Sequence, residues 1–180
     1  ELLALYRATG VFFNDSLTFQ EIHFTGLTAN GFMDSQLIFH DTKDHRSNLE
    51  WYTHLFDRDG FDIDILPSYF TLNGHKWELN KQAHLNYTDD CFFLEDFKLK
   101  YKDQYISAQG QLSKYPFDKL YLDVMNVDLN DVGVLLGDDF DLAGTANAAG
   151  SISTPFTDFK FVGDAVLEEL FVNNTEIGNV

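Results

Sequence analysis

From residue 16 onward the chain alternates apolar and polar positions with a period of two, the mark of half-buried strands. "SLTFQEIHF" carries Leu17 and Phe19, then slips phase to Ile22 and Phe24. "GFMDSQLIFHD" carries Phe32 and Met33, then Leu37 and Phe39. "DIDILPSYFTLNGHKWELN" reads as two strands around Asn73-Gly74, a strong short hairpin signal. "FFLEDFKLKYKDQYISAQGQLS" gives Phe97, Leu99 and Tyr101, a turn at Lys102-Asp103-Gln104, then Ile106, Ala108, Gly110 and Leu112. "FDKLYLDVMNVDL" gives Leu120, Leu122 and Val124, then Val127 and Leu129. The remainder gives Leu142 to Ile152, Phe159 and Phe161, then Leu170 and Val172.

This pattern predicts on the order of a dozen short strands with turns every ~8–12 residues, an all-β architecture. Three slips of phase, Phe19 to Ile22, Leu94 to Phe97 and Val124 to Val127, predict β-bulges. Pro67, Pro116 and Pro155 fall at strand borders. Helical signal is confined to "ELLALYRATG", where Gly10 would end a turn or two, and to "LNDVGVLLG" at Leu129–Gly137. We expect residues 1–180 to be a single segment, with residues 1–16 a short helix or a poorly ordered start.

Two stretches share a shape: "GQLSKYPFDKLYLDV" and "GSISTPFTDFKFVGDAV" each run from a small-residue strand through Ser and Pro-Phe into an alternating strand. Their recurrence predicts an elongated, repeating β-structure.

Composition sharpens this picture. Phe is abundant, 18 in 180 residues, and favours strands and burial. The net charge of −17 would repel a phosphate backbone, so nucleic acid is excluded as a partner. It also disfavours adsorption to an anionic membrane face. No run of 18 apolar residues exists to span a bilayer as a helix. The chain opens on Glu1 rather than Met and ends in "NNTEIGNV", so we expect a piece of a longer protein, with any targeting segment outside it.

The sequence offers little chemistry. "DLAGTANAAGSIST" has the glycines of a ligand loop, but no Lys-Ser/Thr follows them and no helix aims at a phosphate. "DRDGFDID", Asp57–Asp64, has the oxygens for calcium. In an EF-hand frame, however, the first and last ligand positions fall on Leu55 and Leu66, and a turn leading into an acid-faced strand accounts for it better. The six histidines lack zinc spacing. Asp89-Asp90 and Asp138-Asp139 are adjacent, so in a strand they would point to opposite faces and make poor acid–base pairs. Cys91, the one cysteine, sits beside Phe92 and Phe93 and reads as a buried structural thiol. We expect no enzyme, no metal and no cofactor.

The alternation itself remains. Between Leu142 and Ile152 one face carries Leu142, Gly144, Ala146, Ala148, Gly150 and Ile152, apolar but almost without side-chain volume in its middle. A packed core interdigitates large side chains. A row this small fits either a tight β-corner or a place where an acyl chain lies. Leu120, Leu122, Val124, Phe159, Phe161, Leu170 and Val172 complete the set read as groove lining or core, and periodicity does not choose between the two.

The elements Gly144-Thr145, Gly150-Ser151, Pro155, Phe159-Lys160-Phe161 and Ile177-Gly178 resemble the repeating unit of the TamB family, the translocation and assembly module inner-membrane component, within the AsmA-like superfamily. "LPSYFTLNGHKWELNKQAHLNY" is similar to a neighbouring unit. The resemblance covers Leu66–Val180 and departs at "ELLALYRATG". It implies a curled β-sheet forming a taco-like groove, apolar inside and polar outside. The family's proteins are anchored in the inner membrane and reach across the periplasm of Gram-negative bacteria. It further implies phospholipid transport toward the outer membrane, and cooperation with a BamA-like outer-membrane barrel in assembling outer-membrane proteins. It carries no catalytic residues. Two other readings stand beside it: a chaperone-like module binding outer-membrane protein strands by β-augmentation, and a structural β-solenoid or adhesin segment with a filled interior.

Overall fold

A computed structural model describes residues 2–12, 18–41, 43–56, 60–135, 141–154 and 158–180. The strands are β1 (Leu2–Phe12), β2 (Thr18–Ala29), β3 (Phe32–His40), β4 (Arg46–Leu55), β5 (Gly60–Ile65), β6 (Ser68–Leu72), β7 (His75–Leu79), β8 (Ala83–Thr88), β9 (Cys91–Tyr101), β10 (Gln104–Leu112), β11 (Leu120–Asp128), β12 (Leu142–Ser153), β13 (Lys160–Val172) and β14 (Thr175–Gly178). One short helix, α1 (Leu129–Gly133), follows β11. All strands join one antiparallel sheet of 14, so the protein is all-β.

Pairing follows chain order except at the centre, where the sheet splits. The outer half of β4, Trp51–Leu55, pairs with β5, while Asn48 pairs with β6. Likewise β9 pairs with β8 through Cys91–Glu95 and with β7 through Leu99–Lys100. Two strand pairs, β5–β8 and β6–β7, therefore lie end to end between β4 and β9.

Register decides the faces, because directly opposed residues share one. One row runs Thr53–Ile63–Leu85–Leu94–Gly110–Leu120–Ile152–Phe161 across eight strands. A second runs Leu79–Leu99–Ile106–Val124–Ala148–Ala165. The opposite face carries polar ladders. Gln36 donates to Asn48 and Glu50 at 3.0 Å, and Asn86 donates to Asp62 at 2.6 Å. The sheet is amphipathic as a whole.

The three slips of phase are bulges. Registers shift between Gln20 and His23, opposite Asp96, and between Val124 and Val127. Glu21, Asp96 and Asn126 take φ of 48°, 56° and 51°. A fourth shift lies between Ala143 and Thr145, with Glu169 at φ 51°. All four read apolar–x–acid or Asn–apolar: Phe19 to Ile22, Leu94 to Phe97, Val124 to Val127, Leu167 to Leu170. Each bends its strand and increases local twist, and the sheet curls.

The buried core lies along the margin that holds the Asn73-Gly74 turn and α1. Leu72, Trp77 and Val127 form a buried cluster there, joined by Phe19, Leu99, Ile106 and Val132. Strands as far apart as β2 and β11 thus share one core. Asp128 caps α1, its carboxylate accepting the Asn130 N–H at 2.9 Å. The fully buried Asp131 accepts from His75 Nδ1 at 2.8 Å and from Asn73 Nδ2 at 3.4 Å, tying α1 to the hairpin tip.

Two local readings change. The start of the chain is not a helix: Leu2–Phe12 is β1, paired with β2 from Leu2↔Thr28 to Phe12↔Thr18. A dense row of partners overrides the helical propensity of Leu and Ala. Asp89-Asp90 lies in no strand. Its φ values of 53° and 62° make it the β8–β9 hairpin turn. The expected helical turn at Leu129–Gly137 is present as α1 over Leu129–Gly133, and Leu136 and Gly137 lie outside the described residues.

Candidate functional site

At the split, the inner face holds a recess of about 360 Å³ walled by Leu49, Trp51, Ile63, Ile65, Phe70, Leu79, Phe97 and Leu99, with Ser68 as its one polar member. Local patterning explains the apolar wall. Leu49 and Trp51 are two apart on β4, Ile63 and Ile65 on β5, and Phe97 and Leu99 on β9, so each pair faces the same way. The bulge at Asp96 brings Phe97 back onto this face after Leu94. β6 and β7 supply Phe70 and Leu79 from the margin side. Ser68 is buried, and its hydroxyl accepts the Glu50 N–H at 3.0 Å, so its polarity is satisfied away from the recess. The wall holds no Asp, Glu, His, Lys, Cys or Tyr, and its one hydroxyl, on Ser68, is engaged with the Glu50 backbone.

Twelve of the thirteen residues singled out by sequence lie on or at the bulges of the same face, farther along the sheet, and Phe159 sits in the loop just before β13. Leu120, Ile152 and Phe161 share one row, Leu122 and Gly150 the next, and Val124 and Ala148 a third. Ala146 stands opposite Val127, Leu142 opposite Val172, and Gly144 and Leu170 sit at the fourth bulge. Most are half-buried, but Phe159 is 61% and Phe161 42% exposed. None of the thirteen walls the recess. The signal for it was present as period-two alternation in "NLEWYTH" and "FDIDIL", outside the stretch with the strongest motifs.

The row of small residues has a concrete cause. A Cβ on Gly150 would lie 2.8 Å from the Phe161 ring and from the Val162 carbonyl. On Gly163 it would lie 2.3 Å from the Ala149 carbonyl oxygen. Gly144, at φ +120°, would meet the Glu168 and Glu169 carbonyls at 2.6 and 2.7 Å. Over Gly150 the space is filled by an aromatic ring, and over Gly144 by bulged backbone.

The outer face carries cross-strand polar pairs at its centre, with Tyr52, Tyr121, Met125, Val162 and Val166 exposed on the same side. His84 Nδ1 lies 2.9 Å from Asp64, and this hydrogen bond holds the Asp64 carboxyl below its usual range against the opposing effect of burial. Asp62 and Asp64, the described acids of the calcium-like stretch, thus serve cross-strand pairs with Asn86 and His84; Asp57 and Asp59 lie outside the described residues. No group of three or more His, Cys, Asp or Glu stands together as metal ligands among the described residues. Cys91 is half-buried rather than buried; burial first, and the Asp118 charge second, push its thiol up, away from thiolate chemistry.

The fold and recess define the chain's class: an all-β, curled antiparallel sheet with an apolar recess on its inner face. Comparison with protein-family models, curated proteins and solved structures finds no match.

Proposed function

We propose that this chain is a groove segment of a TamB-type envelope protein, which shields phospholipid acyl chains on its apolar face during transfer between the inner and outer membranes. The observation that carries this reading is the apolar recess at the split, on a face that stays apolar across β4 to β13. A ~14-carbon tail exposed to water costs about 11 kcal/mol, at ~0.8 kcal/mol per CH₂. A continuous apolar wall removes much of that barrier without any chemical step. The headgroup stays in water, so Leu, Ile and Phe contacts select for a tail rather than a headgroup. On this reading the protein works in the periplasm, anchored by a segment outside this chain, and meets a BamA-like outer-membrane barrel through other parts.

The test is direct. A fluorescent fatty acid is titrated into the purified chain, and the lipids that co-purify are identified by mass spectrometry. Saturable binding, quenched by a bulky Leu99→Trp in the recess, is expected. Failure of any acyl probe to bind would sink the transport reading.

A second reading, strand addition by an unfolded outer-membrane protein, rests on β1. It is an 11-residue edge strand with Leu2 and Leu5 each 68% exposed. Such an edge is a template for another strand. Photo-crosslinking from Leu99 in the recess and from Leu5 on β1 separates the two clients: lipid adducts at Leu99 favour transport, and protein adducts at Leu5 alone favour the chaperone.

A further inference from the structure

The margin opposite α1 is built differently from the rest of the molecule. Leu120 pairs with Ile152, so the β10–β11 and β12–β13 loops leave the sheet side by side there. In the first loop Ser113 and Asp118 are buried at 3% and 6% exposure. The Ser113 hydroxyl donates to Asp118 at 2.5 Å, Gln111 donates to the same carboxylate, the Tyr115 N–H donates to Ser113 at 2.9 Å, and the Asp118 N–H donates to the Tyr115 carbonyl at 3.2 Å. This rigid frame does not bury the loop's large side chains. It presents them: Tyr115 is 49% and Phe117 73% exposed, their rings stacked at 5.4 Å.

The second loop is tied through its backbone, and its Asp158 carboxylate is exposed and paired with Lys160. Ser153 and Thr154 are buried, the Thr154 hydroxyl donates to the Asp158 carbonyl, and the Asp158 N–H donates back to Thr154. Phe159 follows, 61% exposed. Ser and Asp stand five residues apart in both loops. Buried polar frames are costly unless every member is satisfied, and here the Ser113–Asp118 frame serves to hold the Tyr115 and Phe117 rings in water. Farther along the same margin Phe32 and Leu55 are also more than half exposed.

The geometry points to a membrane-docking rim: Tyr115, Phe117 and Phe159 insert into the interfacial layer of a neutral phospholipid bilayer, with the apolar face opening toward it. Tyr115, with its polar end, suits that layer, the Phe117 and Phe159 rings bury at the acyl boundary, and lysines at its edge reach the headgroups. Lys114 provides this, its ammonium 5.5 Å from the Tyr115 ring. A peptide partner fits less well, because the loops' backbone donors named above are already engaged internally. Neutral rather than anionic lipid follows from charge: the chain carries −17, and Asp89 and Asp90 lie on this same margin. Docking does not depend on the acyl-transport reading, since none of the rim residues walls the recess.

The experiment is co-flotation of the full chain with phosphatidylcholine vesicles and with vesicles containing phosphatidylserine, beside Phe117→Ser, Phe159→Ser and the double variant. Circular dichroism checks that each variant keeps its strands; both side chains are solvent-exposed, so folding is expected to hold. Wild type should float with phosphatidylcholine and float less with phosphatidylserine. Each Phe removed should weaken partitioning about tenfold, or ~1.4 kcal/mol. No flotation with phosphatidylcholine, undiminished flotation of the folded double variant, or stronger capture by phosphatidylserine would overturn the proposal. The fluorescent fatty acid, measured on the same variants without vesicles, reads the recess alone, so loss of one property leaves the other judged on its own.

Discussion

Replacing Gly150 by alanine decides whether the small-residue row is open groove or closed contact. The new methyl would sit 2.8 Å from Cε2 and Cζ of Phe161 and 2.8 Å from the Val162 carbonyl oxygen. Real Cβ contacts are not that short, so either the ring swings out or β13 moves away from β12. Overpacking of this kind costs about 1–3 kcal/mol, and for a chain of this size each kcal/mol lowers Tm by about 2–4 °C. We expect a Tm drop of about 2–12 °C by differential scanning calorimetry. The double variant with Phe161→Ala should recover the part due to the ring, and the part due to the Val162 carbonyl should persist, giving a coupling energy of at least ~0.5 kcal/mol. A Gly150→Ala protein as stable as wild type, with no coupling to Phe161, would refute this packing and return the space over Gly150 to a ligand.

Val127→Ala should cost about 1–2.5 kcal/mol by urea unfolding, because Val127 is 2% exposed in the cluster with Leu72 and Trp77. Asp118→Ala leaves the hydroxyl of Ser113 and the amide of Gln111 without their acceptor, and should cost about 1–3 kcal/mol while exposing the 113–119 loop to proteolysis. The His84 hydrogen bond lowers the folded-state pKa of Asp64, so its contribution is present above the ordinary carboxylate range and lost as pH falls through the folded value. Unfolding at successively lower pH should show this loss, and Asp64→Asn should flatten it.

Much of the architecture was written locally. Period-two alternation gave the strands, and Asn73-Gly74 gave its hairpin because both residues take positive φ, 51° and 79°. The bulges were legible because a side chain must regain the inner face after an extra residue, as Ile22, Phe97 and Val127 do. Leu167–Leu170 obeys the same rule, but its two glutamates look like ordinary outward positions. The split was not legible: β5, β6, β7 and β8 alternate alike, and nothing local tells β5 to skip a hairpin and pair with β8. The recess lies at that non-local join, which is why attention to the Gly-rich stretch missed Trp51 and Ile63. The glycines themselves are ambiguous by nature, since a missing side chain does not reveal what occupies its place.

The split also orders the way the chain assembles. Most strands meet a neighbour one turn away, so zippering can start at almost any hairpin with little loop-closure entropy. β5 and β8 cannot: the residues between them must first be gathered, and only the β6–β7 hairpin does that. The Asn73-Gly74 turn is therefore a timing element as well as a corner. Until it closes, nothing joins the neighbours of β4 to those of β9, and the two halves of the sheet fold as strangers.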